Sequence, residues 1–303
     1  MDFSLNPDQA AIVAAIDRLA QQFEQMPTGF DGFVLPGDEL EKELELAQYF
    51  DLAAVPELGP VAAALAIERL SRLPCTVEVA LSMLLRPAIN PEWPRPVATV
   101  EQGRPGRFVA TAKTLVLIDA ESVSVAHPGG NDVEAVESLY AYPMGRVTGE
   151  PAREKMTTEQ AARTRTLLRI ACAAEMAGLL QAAIDATVEH LTVRKQFGRP
   201  LGTFQALRHR MAECAVLAGG VKNLALKAAY TGDAGDAALA ALQAQHSASR
   251  VVYDVHQMFG AMGMTLEMPL HLWTYRMKAL LSELGGRGAQ AAAVAQHYFA
   301  VTK

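Results

Sequence analysis

One long helical pattern in the second half of the chain constrains its fold most. It begins at residues 157–160, which have the Thr-x-x-Gln spacing of a capping box, and runs to Lys195, about 37 residues or roughly 55 Å. Because alanine occupies many positions, neighbouring helices can approach closely. We predict a four- or five-helix bundle. Its further helices cover residues 204–230, 236–259, 269–284 and 289–301. Asp236 is the predicted N-cap of the second of these, and Gly285-Gly286 is the predicted stop of the third.

The first half of the chain changes character at a run of prolines near residue 90. Before it, apolar residues at helical spacing predict helices over residues 6–23, 38–50, 59–73 and 74–85. After it, short β-branched runs separated by Gly, Asp and Pro predict a small antiparallel sheet, with strands at 97–100, 107–111, 115–118 and 122–125. The fold class is mainly α with a small central β-domain, divided into an N-terminal helical domain 1–90, a reduced β-domain 91–150 and a C-terminal helical bundle 151–303.

Composition excludes several classes of partner. The net charge is −6 without a polybasic run, which argues against nucleic acid and anionic membranes. The N-terminus lacks the basic and apolar regions of a signal peptide. The three cysteines fit no zinc pattern, and the seven histidines form no i, i+3 or i+4 pair. We therefore expect a cytoplasmic protein with no metal site and buried thiols.

The connector between the long helix and the next has unusual content. Residues 194–205 carry three cations, two glutamines and two phenylalanines around Gly and Pro. Cations beside freed backbone N–H groups form an anion site, especially where a helix begins. Phe197 and Phe204 offer flat apolar surface to an aromatic ring. A ligand with phosphates and a ring, meaning a nucleotide cofactor, suits this connector better than a simple turn does.

The connector resembles a motif of the acyl-CoA dehydrogenase flavoproteins, Arg-x-Gln-Phe-Gly-x-Pro-Leu-x-x-Phe-Gln, and the opening residues Asp2, Phe3, Ser4, Leu5 and Gln9 resemble the start of that family. The resemblance implies FAD as cofactor, an acyl-CoA thioester as substrate and an electron-transfer flavoprotein as electron acceptor. The cofactor-binding positions that it implies are Arg194, Gln196, Phe197, Leu201, Phe204 and Gln205.

A second segment resembles the family's Gln-x-x-Gly-Gly-x-Gly phrase, whose backbone meets FAD bound mainly by a neighbouring subunit. Its positions here are Gln257, Gly260 and Ala261. Ala261 replaces the second glycine of the phrase. Glycine near a helix end lets the backbone approach a ligand closely, although it also simply ends helices.

The chain departs from the family where the flavin ring and the catalytic base belong. Its β-segment is about half the usual length and has no Glu-x-x-x-Gly-Ser-Asp phrase. The resemblance places Leu284 and Leu168 at the two positions where members carry the basic glutamate. Glu283 and Glu175 are the nearest substitutes. For Glu175 the alternative is an ion pair with Arg169 or another cation, and for Glu283 it is an exposed carboxylate without a role.

Three hypotheses follow. The first is a shortened subunit without a base, similar to those of heteromeric bacterial steroid and bile-acid side-chain dehydrogenases, with FAD between unlike chains in a heterotetramer. A larger homologous subunit would supply the glutamate. The second is a self-sufficient acyl-CoA dehydrogenase with an atypical base, and the third is a catalytically inactive scaffold subunit. The cations and aromatic rings of the connector favour the flavin-binding hypotheses, because a scaffold has no need of them.

Overall fold

The computed structural model describes residues 4–299. Its N-terminal part contains α1 (Pro7–Ala20), α2 (Asp38–Leu46), α3 (Gly59–Leu70) and the short α4 (Arg86–Ile89). The Asn6 side chain accepts a hydrogen bond from the Gln9 backbone N–H at 2.7 Å, and Pro7 occupies the first turn. The predicted start of α1 is thus confirmed, whereas Asp2 and Phe3 lie outside the described residues.

The predicted helix over residues 74–85 is wrong in position and type. Residues 74–79 are not helical, and a wide π-helical turn, Leu81–Leu85, then leads into α4. The Glu78 carboxylate caps this turn, because it accepts hydrogen bonds from the backbone N–H groups of Leu81 at 2.8 Å and Ser82 at 3.2 Å. Burial raises the pKa of Glu78. A buried carboxylate cap on a π-helical turn leaves no periodic trace in the sequence.

Two small sheets follow instead of one antiparallel sheet. The first has the order β1-β3-β4-β7, and β1 runs parallel to β3, with Val97 opposite Thr114. Parallel pairing requires a crossover of about a dozen residues, which residues 102–113 provide. The second sheet has the antiparallel order β2-β6-β5. The strands are β1 (Val97–Glu101), β2 (Gly106–Arg107), β3 (Thr114–Ile118), β4 (Val123–Ala126), β5 (Val133–Val136), β6 (Met144–Val147) and β7 (Arg153–Lys155).

The predicted strand over residues 107–111 is mostly wrong. Only Gly106–Arg107 is extended, and the chain then turns at Phe108 (φ 61°) into a 3-10 turn, Val109–Thr111. The turn places the Phe108 ring against Tyr142, with centroids 5.5 Å apart, in a small core under one face of the first sheet. The other face of that sheet packs on the main core through residues such as Val116 and Val123. Burial on both faces explains why β1 and β3 lack polar alternation.

The C-terminal bundle is built around α5 (Thr158–Val193), which packs against α3, α6 (Gln205–Thr231), α7 (Ala234–Phe259) and α8 (Leu270–Leu280). The predicted capping box of Thr157 and Gln160 is present. The helix is long and apolar enough to cross a membrane, but 89% of its most apolar window is buried within the protein. It is therefore an interior helix.

The remaining bundle boundaries differ from the predictions in three places. Asp233 rather than Asp236 caps α7; Asp236 lies within that helix and accepts a hydrogen bond from Lys227 Nζ at 2.7 Å. The helix α8 ends at Leu280, before the glycines, and a 3-10 turn at Glu283–Gly285 follows. The last helix, α9, covers Gly286–Phe299, and Val301 lies outside the described residues.

Candidate functional site

The connector between α5 and α6 folds into a two-stranded hairpin. Its strands are β8 (Lys195–Gln196) and β9 (Arg199–Pro200). The two residues between them have positive φ, 54° at Phe197 and 78° at Gly198, as a type I′ turn requires. After the hairpin, the Leu201 N–H donates to the Arg194 carbonyl at 2.8 Å, and the half-buried Leu201 side chain packs on the main core.

The tip of this hairpin presents an aromatic ring to solvent. Phe197 is 85% exposed, although a bulky residue pays for a left-handed backbone conformation. Its ring meets Phe204 edge-on at 6.0 Å, and the Arg199 guanidinium lies 4.1 Å from the centroid of Phe204. Exposed, strained aromatic residues of this kind are typical of binding sites.

The polar side chains of the connector are available to a ligand. Arg194 and Gln196 are exposed, and neither side chain has a hydrogen-bond partner among residues 4–299. Gln205 contacts His209, with Nε2 atoms 3.3 Å apart. Arg194 also acts on His190 one turn earlier: burial lowers the pKa of His190, and the positive charge of Arg194 lowers it further. Arg194 thus places a positive charge beside this end of α5.

The second segment lies at the C-terminal end of α7. Gln257, Gly260 and Ala261 line an open cavity of about 660 Å³, whose wall includes the exposed side chains of Tyr253 and Met264. Gly260 (φ 64°, ψ −144°) ends the helix. Polar and flat apolar groups therefore face this cavity together.

The two segments lie at the same end of the bundle but line separate surfaces within one chain. They are linked where His190 of α5 stacks on Phe259 of α7, with ring centroids 4.3 Å apart. The cavity at Gln257 is not lined by Arg194 or by any other connector residue. The predicted cofactor residues thus form two partial surfaces.

The two candidate bases meet at a third place, where the β-domain contacts the bundle. Arg107 of β2 lies between them. Its Nη1 is 2.8 Å from Glu175 Oε2, and its Nε donates to Glu283 Oε1 at 2.6 Å. The Tyr142 hydroxyl also donates to Glu175, at 2.6 Å. The alternative of an exposed Glu283 is therefore wrong.

The cation paired with Glu175 is not Arg169, the one named in the sequence analysis. Arg169 does not reach Glu175; its Nε donates instead to Gln290 Oε1 at 2.8 Å. Arg107 fills the role of the other cation. Sequence reasoning missed Arg107 and Tyr142, because nothing in a short strand or a loop indicates a contact with residues far along the chain.

Burial and the neighbouring charges act in opposite directions on the pKa values of the ion-paired groups in this cluster. Burial alone would lower the pKa of Arg107, but Glu175 and Glu283 raise it well above its usual value. Burial raises the pKa of Glu283, and Arg107 opposes that rise. Burial and Glu175 raise the pKa of Tyr142, so its hydroxyl stays protonated and donates. Both carboxylates are thus committed to Arg107, and the adjoining cavity of about 90 Å³ is too small for a thioester substrate.

The positions that the family resemblance assigns to a base are apolar. Leu168 is 4% exposed in α5. Leu284 sits in the turn before α9 with φ 56°, and its side chain packs against the main core. Among residues 4–299, no group of three or more His, Cys, Asp or Glu side chains is placed to hold a metal ion.

Comparison with known proteins places the bundle in a family. The family model for the acyl-CoA dehydrogenase C-terminal domain matches residues 158–299, which span α5 to α9. Residues 158–299 therefore carry the acyl-CoA dehydrogenase C-terminal domain. The resemblance carried by the connector is thereby confirmed, and so is the mainly helical fold class with its small sheets.

Individual known proteins match over part or all of the chain. Acyl-CoA dehydrogenase IpdE2 of Mycobacterium tuberculosis is 36% identical over 107 residues, which are 35% of this chain and 34% of IpdE2. The matched part is thus about a third of that relative's length. The ChsE4-ChsE5 complex from Mycobacterium tuberculosis shares the fold over 100% of both chains, with a TM-score of 0.76 at 19% identity. The Tcur3481-Tcur3483 steroid ACAD variant covers 97% of this chain and 98% of its own, with a TM-score of 0.76 and 19% identity.

Proposed function

We propose that the chain is a subunit of an FAD-dependent acyl-CoA dehydrogenase that contributes cofactor-binding residues but no catalytic base. One observation carries the proposal: both candidate carboxylates are engaged by Arg107, and both base positions are leucine. Dehydrogenation of an acyl-CoA thioester requires a carboxylate free to take the proton next to the carbonyl. That carboxylate would come from a partner chain.

The residues present fit part of FAD. Arg194 and Gln196 have no partner within the described chain and suit a pyrophosphate, and the exposed ring of Phe197 suits an aromatic ring system. The Glu-x-x-x-Gly-Ser-Asp motif, which the family resemblance places beside the flavin ring, is missing from the sequence of the β-domain. The connector and the segment at Gln257 each offer part of a cofactor site, and the part expected from the β-domain is absent. This combination favours a cofactor that is shared between chains.

The proposed roles follow from these groups. Arg194 would neutralise the pyrophosphate, while Gln196, Gln205 and Gln257 would donate hydrogen bonds. Phe197 and Phe204 would pack against the cofactor. The backbone at Gly260 and Ala261 would contact an FAD molecule that is bound mainly by a neighbouring subunit. When bound, FAD supplies the acceptor for the hydride that leaves the substrate.

The structural neighbours support a partner. The ChsE4-ChsE5 and Tcur3481-Tcur3483 structures are each named for two proteins, and the second is a steroid dehydrogenase. We propose a cytoplasmic heterotetramer with a larger homologous subunit, which acts on an acyl-CoA such as a steroid side-chain thioester. An electron-transfer flavoprotein would reoxidise it.

Co-purification with the partner tests this proposal. The chain is expressed alone and together with a larger acyl-CoA dehydrogenase from the same genome, and the visible spectrum and mass of each product are measured. A flavin band only in the complex supports the shared site. A lone chain that binds flavin and is bleached by an acyl-CoA would be self-sufficient, and a colourless complex would indicate a scaffold.

Substitution of Arg194 makes the same experiment specific. Arg194→Ala should lose most of the flavin from the complex, because the pyrophosphate loses its charge-assisted hydrogen bonds, while the complex still assembles. Arg163→Ala, an exposed change on α5, is the matched control and should keep its flavin. Full flavin content in the Arg194 variant would contradict the proposed role.

A further inference from the structure

We propose that a recess between the β-domain and the bundle binds a small organic oxyanion, either a carboxylate or a phosphate. The recess has a volume of about 470 Å³ and is lined by three arginines, Arg104, Arg165 and Arg169, and by the turn Leu284–Gly286. We call it the arginine recess. It is separate from the connector and from the cavity at Gln257.

Contacts with the protein fix two of the three guanidinium groups at its walls. Arg169 Nε donates to Gln290 Oε1 at 2.8 Å, and Gln290 Nε2 donates in turn to the Leu284 carbonyl at 2.7 Å. Arg165 Nη2 donates to the Asp119 carbonyl at 2.8 Å on the opposite turn between β3 and β4. These contacts hold both guanidinium groups at the wall of the recess, and each group has further N–H donors that can bind a ligand.

The three cations lack a carboxylate partner. Among residues 4–299, no acidic oxygen lies within 4.0 Å of a side-chain nitrogen of Arg104, Arg165 or Arg169. Glu101 also lines the recess, but its Oε1 accepts from the Leu284 N–H at 2.6 Å. Asp119 is the other acidic residue of the lining, so the arginines outnumber the carboxylates by three to two.

Arg165 and Arg169 stand one helical turn apart, where like charges repel. Burial lowers the pKa of Arg169, and the neighbouring Arg165 lowers it further. A bound oxyanion would relieve this repulsion and accept bidentate hydrogen bonds from the planar groups.

The chemistry of the recess differs from that of a proton-abstracting pocket. Leu284, at a position that the family resemblance assigns to a base, forms part of its wall, and the charged groups around it are mainly guanidinium. A lining in which guanidinium groups outnumber carboxylates favours the binding of an anion. The volume of the recess falls within the range of small-molecule sites, roughly 300–1,000 Å³, which favours an organic anion over a simple inorganic ion.

Calorimetric titration of the purified chain tests the inference with two probes, inorganic phosphate and glutarate. Sodium chloride at equal ionic strength serves as the reference for non-specific screening. We expect saturable binding of at least one probe, and the probe that binds identifies the oxyanion as phosphate or carboxylate. The double variant R165Q/R169Q should weaken that binding by at least roughly tenfold, a loss of about 1.4 kcal/mol.

Two further variants keep the test decisive. R163Q changes an exposed arginine of the same helix outside the recess and should bind like the unchanged chain. R104Q changes a loop side chain without hydrogen bonds in the described structure, so it should fold normally and still bind more weakly. Absence of saturable binding by both probes, or equal affinity in R165Q/R169Q, would overturn the inference. Neither result bears on flavin retention by the complex.

Discussion

A single buried guanidinium joins three parts of the chain. Arg107 comes from β2, while its partners Glu175 and Glu283 belong to α5 and to the turn before α9. Removal of one member of such a buried ionic group costs far more than its presence contributes, because the remaining charges lose their solvation and their partner together. At the residue scale the fold is therefore sensitive to the loss of this contact.

Arg107→Gln should therefore lower the free energy of unfolding by roughly 3–5 kcal/mol, since it leaves the buried Glu175 and the half-buried Glu283 without a cation. Urea titration followed by circular dichroism measures the loss. Arg153→Gln, an exposed change on β7, should stay within about 0.5 kcal/mol of the unchanged chain. A loss below about 1 kcal/mol in Arg107→Gln would mean that solvent already screens the cluster.

The same cluster predicts a pH dependence. Burial raises the pKa of Glu283 in the folded state above its unfolded value of 4.5. A raised folded pKa contributes stability that is fully present below pH 4.5 and is lost as pH rises through the folded pKa. Relative to Glu283→Gln, the unchanged chain should lose stability over that interval. Urea titrations of both proteins at a series of pH values measure the difference, and a gain with rising pH would contradict it.

At the element scale, α3 and α5 approach each other through one glycine. A Cβ on Gly178 would lie 2.2 Å from the backbone oxygen of Glu68, so any side chain there must push the two helices apart. The sequence shows Gly178 only as a small residue within a helical pattern, because the facing backbone is more than a hundred positions away.

Gly178→Ala should destabilise the protein by roughly 1–3 kcal/mol through overpacking, although alanine is the better helix former by about 1 kcal/mol. Gly219 in α6 is the matched control, since a Cβ there meets nothing within 4 Å. Gly219→Ala should be neutral or stabilising by up to about 1 kcal/mol. Thermal unfolding of the two variants gives the comparison, and equal effects would remove the packing argument.

Local signals predicted the elements of the bundle well. Helix caps and apolar periodicity each involve residues only a few positions apart. The start of α5 at its capping box and the connector before α6 were therefore predictable. The parallel pairing of β1 and β3 and the hydrogen bond from the Val97 N–H to Glu78 join residues that are separated by other elements or turns. The ion pairs of Arg107 cross 68 and 176 positions. Sequence periodicity carries no record of such contacts.

At the scale of the whole molecule, the two partial surfaces at one end of the bundle carry large exposed apolar side chains. Val193 and Phe197 belong to the connector side, and Tyr253 and Met264 to the end of α7 and the turn after it, each more than 60% exposed. Large apolar groups that cluster on one end of a chain usually mark an interaction surface. Under the proposed function, a larger subunit and the shared cofactor cover them.

Amide hydrogen exchange should locate this cover. In the complex, amides of the hairpin and of the turn Gly260–Met264 should exchange more slowly than in the lone chain, because a partner removes them from solvent. Amides in the middle of α5 are buried in both forms and serve as the internal reference. Protection confined to another surface, such as the exposed side of α2, would place the partner elsewhere and separate the hairpin from cofactor binding. The proposal predicts protection at both partial surfaces. It also predicts that the hairpin loses this protection in Arg194→Ala, when flavin is lost. Together these results would show that the partner and the cofactor bind at the same end of the bundle.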